Sequence, residues 1–111
     1  MPISVQNVIY EYAQELKRIY GSCLKKVVLY GSYARGDYTE QSDVDVMVIV
    51  TSSEEEIKRT ANSVSDVAFD ILMRYGIDIS PVVVNEEHFE YWSDTLPFYR
   101  NVQAEGVLVE W

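Results

Sequence analysis

A chain of 111 residues, 48% hydrophobic and 24% charged, suits one domain over residues 1–111 and is too short for two. Its formal net charge of −9 repels phosphate backbones, which argues against free nucleic acid as a standing partner and favours basic proteins. Cys23 is the only cysteine, no charged-then-apolar leader opens the chain, and no apolar run approaches the roughly 20 residues of a membrane span; a reducing, cytoplasmic setting without membrane contact is expected.

Val5, Val8, Ile9, Tyr12, Leu16 and Ile19 recur at helical spacing, predicting a helix from Ser4 to Tyr20 that Gly21 stops. The β-branched run from Cys23 to Tyr30 predicts a strand, with Cys23 read as a small core hydrophobe at its start. Gly31 to Ser42 is polar and reads as a loop with one helical turn near Tyr33–Arg35. Asp43 to Val50 predicts a second strand, acidic where it begins and apolar on both faces beyond, hence buried.

Ser52 and Ser53 each precede a Glu by three residues, a capping-box pattern opening a helix to about Tyr75. Ile57, Ala61, Val64, Ala68, Ile71 and Leu72 would form its core face, and Gly76 its end. Ile77 to Val84 predicts a third strand, which Pro81 confines to an edge or a bulge. Two shorter helices follow, one after Asn85 and one from Pro97, and the last five residues form a short strand. Tyr12, Tyr20 and Tyr75 fall on helical core stripes, and His88 has a surface or capping role. Trp92, Phe98, Tyr99 and Trp111 are read mainly as core, with an apolar patch near the C-terminus as the alternative. Helices alternating with strands predict a small α/β (α+β) domain, a mixed sheet of three or four strands packed with helices.

Chemistry concentrates between Gly31 and Val50. A strand delivers the chain to Gly31-Ser32, where glycine lets backbone amides approach an anion, the hydroxyl of Ser32 adds a donor, and a following helical turn turns its positive end to a phosphate. Asp43 and Asp45 stand at i and i+2 on a strand, so both carboxylates share one face while Val44 and Val46 take the other. Two adjacent carboxylates call for a cation between them, and hard oxygen ligands beside phosphate select Mg²⁺ or Mn²⁺. Separately, each piece has a plainer reading: a turn for Gly31-Ser32, a solvated strand end for the aspartates, a surface cation for Arg35. Together, at one end of a sheet, they describe a site for metal-assisted phosphoryl chemistry.

The run GSYARGDYTEQSDVDVMV resembles the signature of the minimal nucleotidyltransferase (MNT) branch of the DNA polymerase β nucleotidyltransferase superfamily, as found in the antitoxins of HEPN/MNT pairs. Gly31, Ser32, Ala34, Arg35, Gly36, Ser42, Asp43, Asp45 and Val48 all match. The resemblance implies the polymerase β-like fold, with Gly31 and Ser32 holding the triphosphate, Arg35 and Ser42 beside them, and Asp43 and Asp45 ligating two metal ions. Arg35 would brace the loop rather than touch phosphate. It also implies a third carboxylate on the next core strand, assigned by position to Asp78, with Ser80 the competing equivalent.

The implied activity is transfer of AMP from ATP, with two Mg²⁺ ions, to a hydroxyl of a HEPN-domain toxin. A tyrosine hydroxyl is the favoured acceptor, because its pKa near 10 eases deprotonation. With no second domain in 111 residues to hold an acceptor, the partner would dock as a separate protein. Two alternatives fit the same residues: an MNT module that neutralises its partner by contact alone, and a homodimeric nucleotidyltransferase for an aminoglycoside-like small molecule.

Overall fold

The computed structural model describes residues 3–39 and 41–111. In chain order the elements are α1 (Ile3–Tyr20), a 3₁₀ turn (Gly21–Cys23), β1 (Leu24–Tyr30), α2 (Ser32–Arg35), β2 (Val44–Val50), α3 (Glu54–Tyr75), β3 (Ile79–Asn85), α4 (Glu86–Trp92), α5 (Pro97–Glu105) and β4 (Val107–Leu108). The strands form one mixed sheet ordered β3-β2-β1-β4. β2 runs antiparallel to β1 and parallel to β3, and β4 adds antiparallel to the far side of β1. This is the mixed α+β architecture that the alternation of helices and strands predicts.

Strand alternation sorts the sheet into two faces. Val27, Leu29, Val44, Val46, Val48 and Val50 pack with α1 and α3, joined by Ile9, Tyr12, Leu16 and Ile71. Val28, Met47, Ile49 and Val84 face the other way, onto Phe89 of α4 and Val102 of α5. β2 is flanked by strands and covered by helices on both faces, which is why its whole apolar run is at most 2% exposed. Pro81, which cannot donate to a ladder, sits on β3 at the sheet edge.

Capping follows sequence chemistry. Of the two candidate serines, Ser53 is the α3 cap, accepting from the Glu56 amide at 3.2 Å, while Ser52 is buried. Asn85 likewise caps α4 through the His88 amide, and Pro97 opens α5.

Three expectations change. Cys23 belongs to the 3₁₀ turn, with β1 beginning at Leu24; its side chain still packs against the core. Ala61 is exposed, because Thr60 takes the inward position and meets the Tyr20 hydroxyl at 2.9 Å. Tyr75 is 47% exposed, its hydroxyl donating to Glu11 and the Arg74 guanidinium lying over its ring. Trp111 keeps its core reading and packs against the α1/α3 core, on the sheet face away from α4 and α5. Beyond β4 the chain follows β1, where the Val109 amide donates to Val27 O, and alternation carries Val109 and Trp111 to that face.

Candidate active site

The pleat of β2 decides where its aspartates go. Met47 and Ile49 face α4 and α5, so Asp45, two residues earlier than Met47, lies on the same face. Asp43 precedes the strand by one residue and continues that alternation. Val44 and Val46 are fully buried on the opposite face. In the parallel ladder Ser80 lies opposite Asp45. Asp78 falls just before β3, beside Asp43, and its carbonyl accepts from the Val44 amide at 2.8 Å.

The three acids form a row with Asp43 in the middle. The Asp45 carboxyl is raised above its ordinary range by loss of solvent first and then by the Asp43 charge, with Arg35 opposing. Asp78 is raised by desolvation, by the Asp43 charge and by a hydrogen bond to Asp43. Asp43 is therefore the neighbour both acids share. Such a row stores repulsion that a cation relieves.

Gly31 is what lets the row meet the loop. Its backbone sits at φ +74°, ψ −153°, a region essentially limited to glycine. A Cβ there would collide with Asp45 Oδ2 and come within 3.2 Å of the carboxyl carbon. The turn after β1 thus abuts the Asp45 carboxylate through the missing side chain. Gly31, the N-cap of α2, brings no side chain to the leading amides of that turn, which can therefore meet an outside anion.

A cleft of about 390 Å³ gathers Gly31, Ser32, Arg35 and Asp45 from one side and Phe98, Asn101, Val102 and Glu105 of α5 from the other, with Tyr30 at its floor. Arg35 spans it: Nε donates to Asp37 Oδ2 and Nη1 to Glu105 Oε2, each at 3.3 Å. It ties α2 to α5 as well as to its own loop, while its charge also acts on Asp45. Ser42 is turned into its own loop, where Oγ accepts from the Thr39 amide at 2.9 Å and the Ser42 amide donates to Thr39 O. Tyr33 and Tyr38 stack across the same loop, with ring centroids 4.5 Å apart. Of the seven residues expected at the site, Gly31, Ser32, Arg35 and Asp45 line the cleft and Asp43 adjoins Asp45. Ser42 supports the loop, and Asp78 lies beyond Asp43 in a groove with α3.

A roomier depression of about 620 Å³ between α1 and Tyr75 is mainly apolar, and its one carboxylate, Glu11, already engages Arg74 and Tyr75. Among the described residues lining it there is no cation to meet a phosphate. The residues unforeseen at the cleft are Tyr30, Phe98, Asn101, Val102 and Glu105. Phe98, Asn101, Val102 and Glu105 do show an i, i+3, i+4, i+7 stripe, but spacing alone does not say what a stripe faces.

Comparison with known proteins gives a family and a fold. Residues 9–100 match the family model described as a nucleotidyltransferase domain. A Methanocaldococcus jannaschii protein named "Putative protein adenylyltransferase MJ0604" is 38% identical over 104 residues, covering 91% of this chain and 93% of its own. The crystal structure of a "putative nucleotidyltransferase from Sulfolobus solfataricus" has TM-score 0.55 at 24% identity, over 96% of this chain and 83% of that one. The crystal structure of a "toxin-antitoxin with AMP-PNP" has TM-score 0.57 at 18% identity, over 91% of this chain and 72% of that one.

Proposed function

The chain belongs to the nucleotidyltransferase-domain family, and from that premise we propose that it transfers AMP from ATP to a hydroxyl of a partner protein, acting as antitoxin to a HEPN toxin. The observation that carries this reading is the seating of Asp45 against Gly31, which sets one end of the carboxylate row against the turn that would cradle phosphate. The name of the M. jannaschii relative supports a protein acceptor, and the toxin-antitoxin neighbour with AMP-PNP supports an adenine nucleotide and a toxin partner. A net charge of −9 suits a basic partner.

The donor set fits Mg²⁺. Among the described residues, no three acids, histidines or cysteines form a group able to hold a metal by themselves. Mg²⁺ asks for no such cage: it is held by one or two carboxylates and completed by substrate phosphates and water. Asp43 and Asp45 would hold two ions, with Asp78 as third acid. When bound, these ions supply charge neutralisation at the attacking and leaving oxygens of an in-line displacement. The chain's own groups do the rest. The amides after Gly31 and the Ser32 hydroxyl donate to the triphosphate, and Arg35 holds α5 against the cleft. Asp78 would take the acceptor's proton as the new O–P bond forms and pyrophosphate leaves.

Neutralisation by contact alone is favoured by one observation: Ser80, not an acid, occupies the position opposite Asp45. ATP labelled at its α-phosphate, incubated with Mg²⁺, this chain and its purified partner, separates the two. Transfer predicts label on the partner, lost in Asp43→Ala/Asp45→Ala. A partner that is inhibited yet unlabelled would sink the transfer reading and leave contact.

A further inference from the structure

The cleft is chemically two-ended. Along α5 the residues facing it run from Phe98 through Asn101 and Val102 to Glu105, a rise of about 10 Å. The Glu105 end is charged and tied to Arg35. The Phe98 end has no charged side chain of α5, and Asp45 lies across from its Tyr30. There the Phe98 ring meets Tyr30 edge-on with centroids 5.5 Å apart. Phe98 remains 44% exposed, so ring surface is still open. One turn further, Asn101 is exposed, and among the described residues no hydrogen bond occupies its carboxamide.

Taking the cleft as the nucleotide cradle proposed above, Gly31, Ser32 and the carboxylate row account for the triphosphate. What remains is a flat heteroaromatic base with a hydrogen-bonding edge, and the Phe98 end offers an aromatic ring and, among the described residues, a carboxamide with no hydrogen bond. We infer that Phe98 and Asn101 form a purine subsite that selects adenine over guanine. Stacking on Phe98 is indifferent to base identity, because every base has a π-face. Asn101 makes the selection. Its amide nitrogen can donate to adenine N7 while its oxygen accepts from the N6 amino group. Guanine presents two acceptors, N7 and O6, along the same edge. The Asn101 oxygen would then face O6 without a donor between them, at the cost of an unmade hydrogen bond.

Calorimetric titration of wild type, Phe98→Ala and Asn101→Leu with Mg²⁺-ATP, Mg²⁺-GTP and Mg²⁺-tripolyphosphate tests the assignment. Both substituted side chains are exposed and outside the core, and retained tripolyphosphate binding reports an intact fold and cradle. Phe98→Ala should weaken ATP and GTP alike, by about ten-fold, and leave tripolyphosphate unchanged. Asn101→Leu should weaken ATP about ten-fold and bring its affinity down to that of GTP. Unchanged ATP affinity in both variants, with tripolyphosphate still bound, would overturn the subsite while sparing the cradle. A wild-type protein that binds neither ATP nor tripolyphosphate would remove the cradle, and the subsite with it.

Discussion

Gly31→Ala is the substitution on which the geometry speaks most directly. At φ +74°, ψ −153° an alanine backbone costs about 1–3 kcal/mol. Its methyl group would also collide with Asp45 Oδ2. Turning that carboxylate off its rotamer adds about 0.5–1.5 kcal/mol. The sum is roughly 2–4 kcal/mol, which at about 4 °C per kcal/mol for a domain this size lowers Tm by some 8–16 °C. Gly36 is the control: its φ is +89°, yet nothing lies within 4 Å of a Cβ there. Gly36→Ala should cost only the left-handed backbone, about 1–2 kcal/mol. Thermal melts of both variants, with and without Mg²⁺-ATP, measure the difference. Gly36→Ala should keep the wild-type stabilisation by Mg²⁺-ATP, and Gly31→Ala should lose most of it through the displaced Asp45. If Gly31→Ala melts like Gly36→Ala and retains full ligand stabilisation, the coupling of turn and carboxylate is wrong.

Asp43→Asn should stabilise the metal-free protein at pH 7. Asp45 and Asp78 have raised folded pKa values, so their contribution to stability is full below the ordinary 3.8 and is lost as pH rises through the folded values. Removing the charge they share relieves both, and melts at pH 7 and pH 3 should show a gain at the first that disappears at the second. Tyr12 is pushed well above its usual 10.0, by burial and by Tyr20. Stability it contributes below pH 10 is lost as pH rises further, and Tyr12→Phe should flatten that alkaline fall in urea titrations. At neutral pH the same variant forfeits the hydrogen bond to Val64 O, about 1 kcal/mol. Ile71→Ala removes a fully buried side chain between α3 and the sheet. Urea denaturation should show a loss of about 2–5 kcal/mol, with nucleotide affinity in the surviving native protein unchanged.

Much of the fold was legible because its signals are local. The apolar run from Val44 to Val50 is long enough to mark a doubly covered strand, and Pro81 alone sends β3 to an edge. The side of β2 that carries Asp45 follows from period two. What escaped depends on partners distant in the chain. Ala61 and Thr60 compete for one inward position, and the choice is made by Tyr20, 40 residues away. Tyr75 continues the Ile71 stripe by spacing, yet its hydroxyl finds Glu11 on α1 at the surface. Trp111 reads as one more aromatic beside Trp92 until β4 pairs with β1 and its parity sends it to the other face. The cradle and the aspartates lie within 15 residues and could be read together from the chain. α5 enters the cleft from more than 50 residues further on, set there by contacts distant in the chain: Val102 in the cluster of Val28 and Met47, Phe98 against Tyr30 and Glu105 with Arg35.

The central claim, covalent transfer rather than contact, is tested most directly by the intact mass of the partner. The partner should be co-produced with the wild-type chain or with Asp43→Ala/Asp45→Ala, then separated and weighed by mass spectrometry. The wild-type chain should leave the partner heavier by one or more adenylyl groups, and the double variant should leave it unmodified. An unmodified partner in both cases, held inactive by each, would contradict transfer and establish this chain as an inhibitor by binding alone.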